Sequence, residues 1–92
     1  MRRAARVDDN QAEIVSALRQ VGATVQVLSG VGQGCPDLLV GIFHRNFLFE
    51  VKDGNKSPSR QVLTAEEAIW HNEWKGKVVI VTSAEEAVAQ LK

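Results

Sequence analysis

The chain has 92 residues, with eleven Lys and Arg against eleven Asp and Glu, so its formal net charge is zero and composition alone does not mark a nucleic-acid binder. Apolar residues at 45% and charged ones at 24% exclude a disordered segment, and the length allows one domain with a small core, to which a dimer partner would be a natural supplement. The single Cys35 excludes an internal disulfide framework and a cysteine zinc site, and no run approaches the roughly 20 apolar residues of a membrane span; a reducing, cytoplasmic setting is expected.

Residues 1–8 read as a basic arm carrying Arg2, Arg3 and Arg6, with no apolar segment behind it of the kind a secretion signal needs. From 9 to 21, Ile14, Val15, Leu18 and Val21 recur at helical spacing and Gly22 follows as a stop, which predicts an amphipathic first helix. Residues 23–28 predict a short strand. A loop follows to Pro36, containing Gly30, Gly32 and Gly34; it lacks GxGxxG spacing and leads into a strand, so it is not a phosphate cradle.

Residues 38–43 and 47–52 form two strand-like runs around His44, Arg45 and Asn46, which predicts a β-hairpin. Pairing Phe43 with Asn46 would set Leu38 against Val51, Val40 against Phe49 and Ile42 against Phe47, giving one apolar face. Residues 53–63 are a polar connection containing Lys56 and Arg60. Thr64 and Glu67 have capping-box spacing and open a second helix that passes Trp70 and Trp74 and stops at Gly76. Residues 77–81 predict a fourth strand, and Ser83 with Glu86 repeats the capping pattern before a last helix over 84–91. The expected order is αβββαβα in a single domain spanning 1–92.

In that register Asp37 would face Lys52, with Glu50 two residues away on the same side of its strand, so that three ionisable groups meet in one pocket. Carboxylate oxygens of Asp37 and Glu50 suit Mg2+ or Mn2+, with the Val51 carbonyl as a further ligand. Lys52 would orient or help deprotonate an attacking water and offset phosphate charge. A Glu-x-Lys triplet alone usually marks an exposed ion pair on a strand, worth ~0–1 kcal/mol. The combination is more telling: Pro36-Asp37 follows a glycine loop and begins a strand, and Glu-x-Lys ends the next one.

The series Gly34-Cys35-Pro36-Asp37-Leu38-Leu39-Val40-Gly41, then Phe49-Glu50-Val51-Lys52-Asp53-Gly54, then Leu63-Thr64 and His71-Asn72-Glu73-Trp74 resembles the VRR-NUC family of the PD-(D/E)XK nucleases, whose members are similar to Holliday-junction resolvases. The resemblance covers about residues 9–86. It implies a restriction-endonuclease-like α/β fold, a mixed central sheet flanked by helices. Asp37 and Glu50 would then be metal ligands and Lys52 the catalytic lysine. Glu13 matches a further acidic position near the metal, although Asn10 and Glu13 also have capping-box spacing. Where the family tends to place glutamine, this chain has Glu67, which either strengthens metal binding or caps its helix.

The resemblance thus implies a Mg2+- or Mn2+-dependent endonuclease acting on branched or structured DNA, with Asp37, Glu50, Lys52 and Glu67 at its catalytic centre. Branched DNA has near-twofold geometry and needs two nicks, so a homodimer is expected. Arg2, Arg3, Arg6, Lys56 and Arg60 are candidate phosphate contacts, or a solvated surface. The alternative is a non-catalytic DNA-binding or assembly module on the same fold. His44 and His71 read as structural or exposed. Trp70 and Trp74 share one side of their helix and suit core packing, with base stacking or a dimer face as the other readings.

Overall fold

A computed structural model describes residues 7–92; Arg2, Arg3 and Arg6 lie outside the described residues. The chain folds as an α/β domain built on a four-stranded mixed sheet with three helices. The first helix, α1 (Gln11–Gln20), buries Ile14, Val15 and Leu18 as their spacing requires, and Gly22 ends it with φ +96°. Val21 lies past the helix and is 48% exposed, so the apolar stripe ends one turn earlier than the sequence suggests.

Strand β1 (Thr24–Val27) pairs antiparallel with β2 (Leu38–Ile42), β2 with β3 (Arg45–Val51), and β3 runs parallel to β4 (Val79–Val81). The hairpin register differs from the expected one by two residues: Leu38 faces Phe49, Val40 faces Phe47 and Ile42 faces Arg45. The cause is the turn. Phe43 and His44 are its two central residues, with φ of 54° and 59°, the paired left-handed conformation whose twist matches a hairpin. Neither is the Asn or Gly that would have signalled that position. A two-residue shift preserves the alternation of faces, so Leu38, Val40, Phe49, Val51 and Val81 still form one buried layer beneath α1 and the last helix, α3 (Ala84–Ala89).

After β3, residues Pro58–Arg60 form one 3-10 turn and α2 (Ala65–Glu73) begins. Its capping box is complete: Thr64 Oγ1 accepts from the Glu67 amide at 3.2 Å, and Glu67 Oε1 accepts from the Thr64 amide at 2.9 Å. At α3 the pattern is altered, since Ser83 Oγ caps the Glu86 amide while Glu86 Oε1 takes the Thr82 amide instead of that of Ser83. α2 contains no buried residue. Trp70 and Trp74 stack on one another at 4.6 Å, and Trp74 is 46% exposed, so this pair is not part of the core. No helix among the described residues is long and apolar enough to cross a membrane.

Candidate active site

The layer under α1 and α3 uses every second residue of β3, which turns Glu50 to the opposite side of the sheet, toward α2. Asp37 immediately precedes β2. Its amide donates to the Phe49 carbonyl at 3.0 Å, and its Oδ2 accepts from the Val51 amide at 2.7 Å. The observed register, carried one residue beyond β2, sets Asp37 across from Glu50. The expectation that Asp37 faces Lys52 is therefore corrected, and the change sets the two carboxyl groups beside one another.

Glu50 is 1% exposed. Burial first, then the hydrogen bond and negative charge of Asp37 and the charge of Glu67, outweigh the nearby Lys52 and push its pKa up to about 10. Without a cation Glu50 therefore carries a proton at neutral pH. Lys52 is also buried and donates from Nζ to Glu67 Oε1 at 2.7 Å. Burial alone would favour neutral Lys52, but Glu67, Glu50 and Asp8 together raise its pKa, so the ammonium is retained. Glu67 responds in the opposite sense. Burial disfavours its charge, yet hydrogen bonds from Lys52, the Thr64 amide and Glu50 hold its pKa below the usual carboxylate range.

One cavity of about 400 Å3 collects Asp8, Asp37, Glu50, Lys52 and Glu67, with Lys56 and Arg60 at its polar edge. A larger hollow of about 630 Å3 between α1 and β1 has no acidic residue among its described lining residues, so the ionisable groups gather in the smaller one. Lys56 is held by Asp9 at 2.9 Å. Glu13 is exposed and does not line the cavity; the acidic group that α1 brings to it is Asp8, just ahead of the helix. Burial and the neighbouring Asp37, Asp53 and Glu67 raise the pKa of Asp8 against the pull of Lys52.

Asn10 does not cap α1 with its side chain, which corrects the capping reading of Asn10 and Glu13. Its Nδ2 instead donates to the carbonyls of Lys52 and Thr82 at 3.2 and 3.1 Å, tying the start of α1 to the ends of β3 and β4. His71 is also closer to the chemistry than its isolation in sequence implies. It reaches back from α2 to place Nε2 3.4 Å from Glu50 Oε1, and burial lowers its pKa and keeps the imidazole neutral. A signal existed for it: Glu67 and His71 are four residues apart and share one face of the helix.

Among the described residues no three His, Cys, Asp or Glu side chains form a cluster that could hold a metal ion. Mg2+ and Mn2+ need fewer, since one or two carboxylates suffice when the ion keeps its waters. Asp37 and Glu50 fit that requirement. A buried carboxyl group forced to keep its proton by a second carboxylate is a costly arrangement that a divalent cation would relieve. Val51 donates its amide N–H to Asp37 and so orients that carboxylate, but the Val51 residue does not line the cavity. No family model, curated protein or solved structure matches this chain.

Proposed function

We propose that the chain is a divalent-metal-dependent endonuclease that hydrolyses DNA phosphodiester bonds, with a restriction-endonuclease-like fold akin to the VRR-NUC family. The observation that carries this reading is the meeting of Asp37 and Glu50 across the β2–β3 ladder, inside a cavity that also holds Lys52 and has Lys56 and Arg60 at its edge. A scissile phosphate arrives negatively charged and gathers more charge as it reacts. The site offers it one buried ammonium, two basic side chains at the mouth, and a carboxylate pair of the right type for a cation.

When bound, Mg2+ or Mn2+ would lower the pKa of a water and polarise the phosphate. Asp37 is oriented for this by the Val51 amide. Glu50 would shed its proton to solvent as a cation binds, before it can act as a ligand, and neutral His71 Nε2, 3.4 Å from Oε1, helps to orient the carboxyl group. Lys52, kept as an ammonium by Glu67, acts by offsetting phosphate charge and not as the base that takes the water's proton. Branched DNA, a homodimer and an intracellular setting belong to the same proposal. The exposed Ile69 of α2 and Trp74 just past its end offer apolar surface for a second copy to bury.

One observation favours the alternative of a non-catalytic DNA-binding module. The 2.7 Å ion pair occupies the Lys52 ammonium that the chemistry requires. The deciding experiment incubates a labelled four-way DNA junction and a matched linear duplex with the protein in Mg2+, Mn2+ or chelator, alongside Lys52→Ala. Metal-dependent cutting that vanishes in the variant is the expected result, and the junction-to-duplex ratio measures structural selectivity. Binding of the junction by folded protein with no cutting in any metal would establish the module instead.

A further inference from the structure

α2 is held to the domain differently from α1 and α3. It contains no buried residue, and among the described residues none of the apolar side chains that form the core or pack against it comes from α2. Its half-buried residues are Glu67, Trp70 and His71, which helical spacing sets on one face. Two of them meet ionisable groups of the candidate site: Glu67 Oε1 accepts from Lys52 Nζ at 2.7 Å, and His71 Nε2 lies 3.4 Å from Glu50 Oε1. The backbone of Gly34 lies close against the Glu66 carbonyl. α2 is thus fastened through polar contacts at the site itself, and elements that move to admit ligands are drawn from the least buried parts of a fold.

The Lys52–Glu67 bond is the one that an arriving anion would contest. The Lys52 side chain is 8% exposed and cannot follow Glu67 into solvent, and an ammonium left there without a partner is costly. Glu67 is 19% exposed and lines the same cavity, with Lys56 and Arg60 at its edge. A phosphate oxyanion entering past those two cations would supply Lys52 with a new partner and set a like charge against the Glu67 carboxylate. α2 can then move without unfolding. Its capping box lies within residues 64–67, so Glu67 still accepts from the Thr64 amide after leaving Lys52. The chain on either side is irregular, with residues 61–64 before the helix and 74–78 after it.

We infer that α2 is a latch on the cavity, closed by the Lys52–Glu67 bond and released when a phosphate oxyanion takes Lys52. Release carries away the part of the cavity wall formed by Thr64 and Glu67 and so widens the entrance. The ion pair that occupies Lys52 is then the closed position of the latch. Because the helix and the anion compete for one ammonium, whatever loosens α2 tightens anion binding, and the anion loosens α2 to the same degree. The inference deepens the nuclease reading and rests on it for the identity of the anion as a phosphate.

The chain's two tryptophans, Trp70 and Trp74, lie in α2 and just past its end and stack on one another at 4.6 Å, so tryptophan emission reports this helix. The test titrates the whole chain in chelator with inorganic phosphate, and separately with a short DNA duplex, against sodium chloride of matched ionic strength. The parent should show a saturable emission change with a phosphate ligand and none with chloride. Glu67→Gln should show the released emission before any addition and bind phosphate about tenfold more tightly. Gly34→Ala, which loosens α2 without altering any charge, should move the affinity in the same direction. A response to the duplex marks the diester as the releasing anion, and a response to inorganic phosphate alone marks the free ion. No emission change with either overturns the proposal. So does tighter binding in Glu67→Gln alone with the parent's emission, which would reflect only the lost charge. A parallel cutting assay in Mg2+ separates the two readings: release without cutting in any metal retains the latch and removes the nuclease, while cutting with unmoved emission does the reverse.

Discussion

Asp37 and Glu50 stand across from one another at the open end of the β2–β3 hairpin, with Asp37 also anchored to the Val51 amide at 2.7 Å. Among the described residues neither carboxyl group is paired with a cation, because Lys52 donates to Glu67. The pair is thus costly to the fold in the absence of metal and suited to a cation in its presence.

Glu50→Gln should raise metal-free stability by a margin that grows with pH, by up to about 1.4 kcal/mol per pH unit, while removing metal binding. Folded Glu50 holds its proton up to about pH 10, against an ordinary value of 4.5. Between these limits the folded state binds more protons than the unfolded one, so stability contributed by this group falls as pH rises. His71, with its lowered pKa, acts in the opposite sense but only below its ordinary 6.5. Burial also raises the Cys35 thiol above its ordinary 9.0, but parent and variant share that group, so the gap between them in thermal unfolding in chelator isolates Glu50 and should widen from about pH 7 to about pH 9. A constant gap would contradict the protonated assignment.

Glu67→Gln should keep α2 folded, since an amide oxygen can still accept from the Thr64 amide, while releasing Lys52 from a full ionic partner. If the proposed nuclease is limited by that pairing, cutting should rise by roughly tenfold, corresponding to about 1.4 kcal/mol. Single-turnover cleavage in Mg2+ measures it. A fall in rate would show that the Glu67 carboxylate itself serves the site.

Asp8→Asn should weaken Mg2+ affinity about 10- to 100-fold, the range typical of groups that surround a metal without being its principal ligands. Glu13→Gln should leave it unchanged, because Glu13 is exposed and outside the cavity. Isothermal titration of both variants decides which acidic residue of the α1 region belongs to the site; equal effects would reinstate Glu13.

Gly34→Ala should loosen α2. Gly34 has φ +83°, and a Cβ there would collide with the Glu66 carbonyl, which is backbone and cannot rotate aside. A loss of roughly 2 kcal/mol or more is expected. The stacked Trp70–Trp74 pair reports it, since near-UV circular dichroism from that pair should diminish as the helix shifts.

Much of this protein is legible in its sequence because the signals are local. Helical spacing of Ile14, Val15 and Leu18, alternation along the hairpin and the Thr64–Glu67 capping box each depend on residues a few positions apart. These determine where elements begin and which face of each is apolar, and so place Glu50 and Lys52 on the side away from the core. What only the tertiary structure decided is which groups meet. The turn at Phe43–His44 moved Asp37 from Lys52 to Glu50, because two adjacent left-handed residues of ordinary type leave no mark in the sequence. Helix packing brought in Asp8 and His71 and left Glu13 outside, since distance along the chain says nothing of distance across it. The protonation of Glu50 and the charge of Lys52 follow from burial and from neighbours contributed by separate elements, and those exist only once the chain has folded.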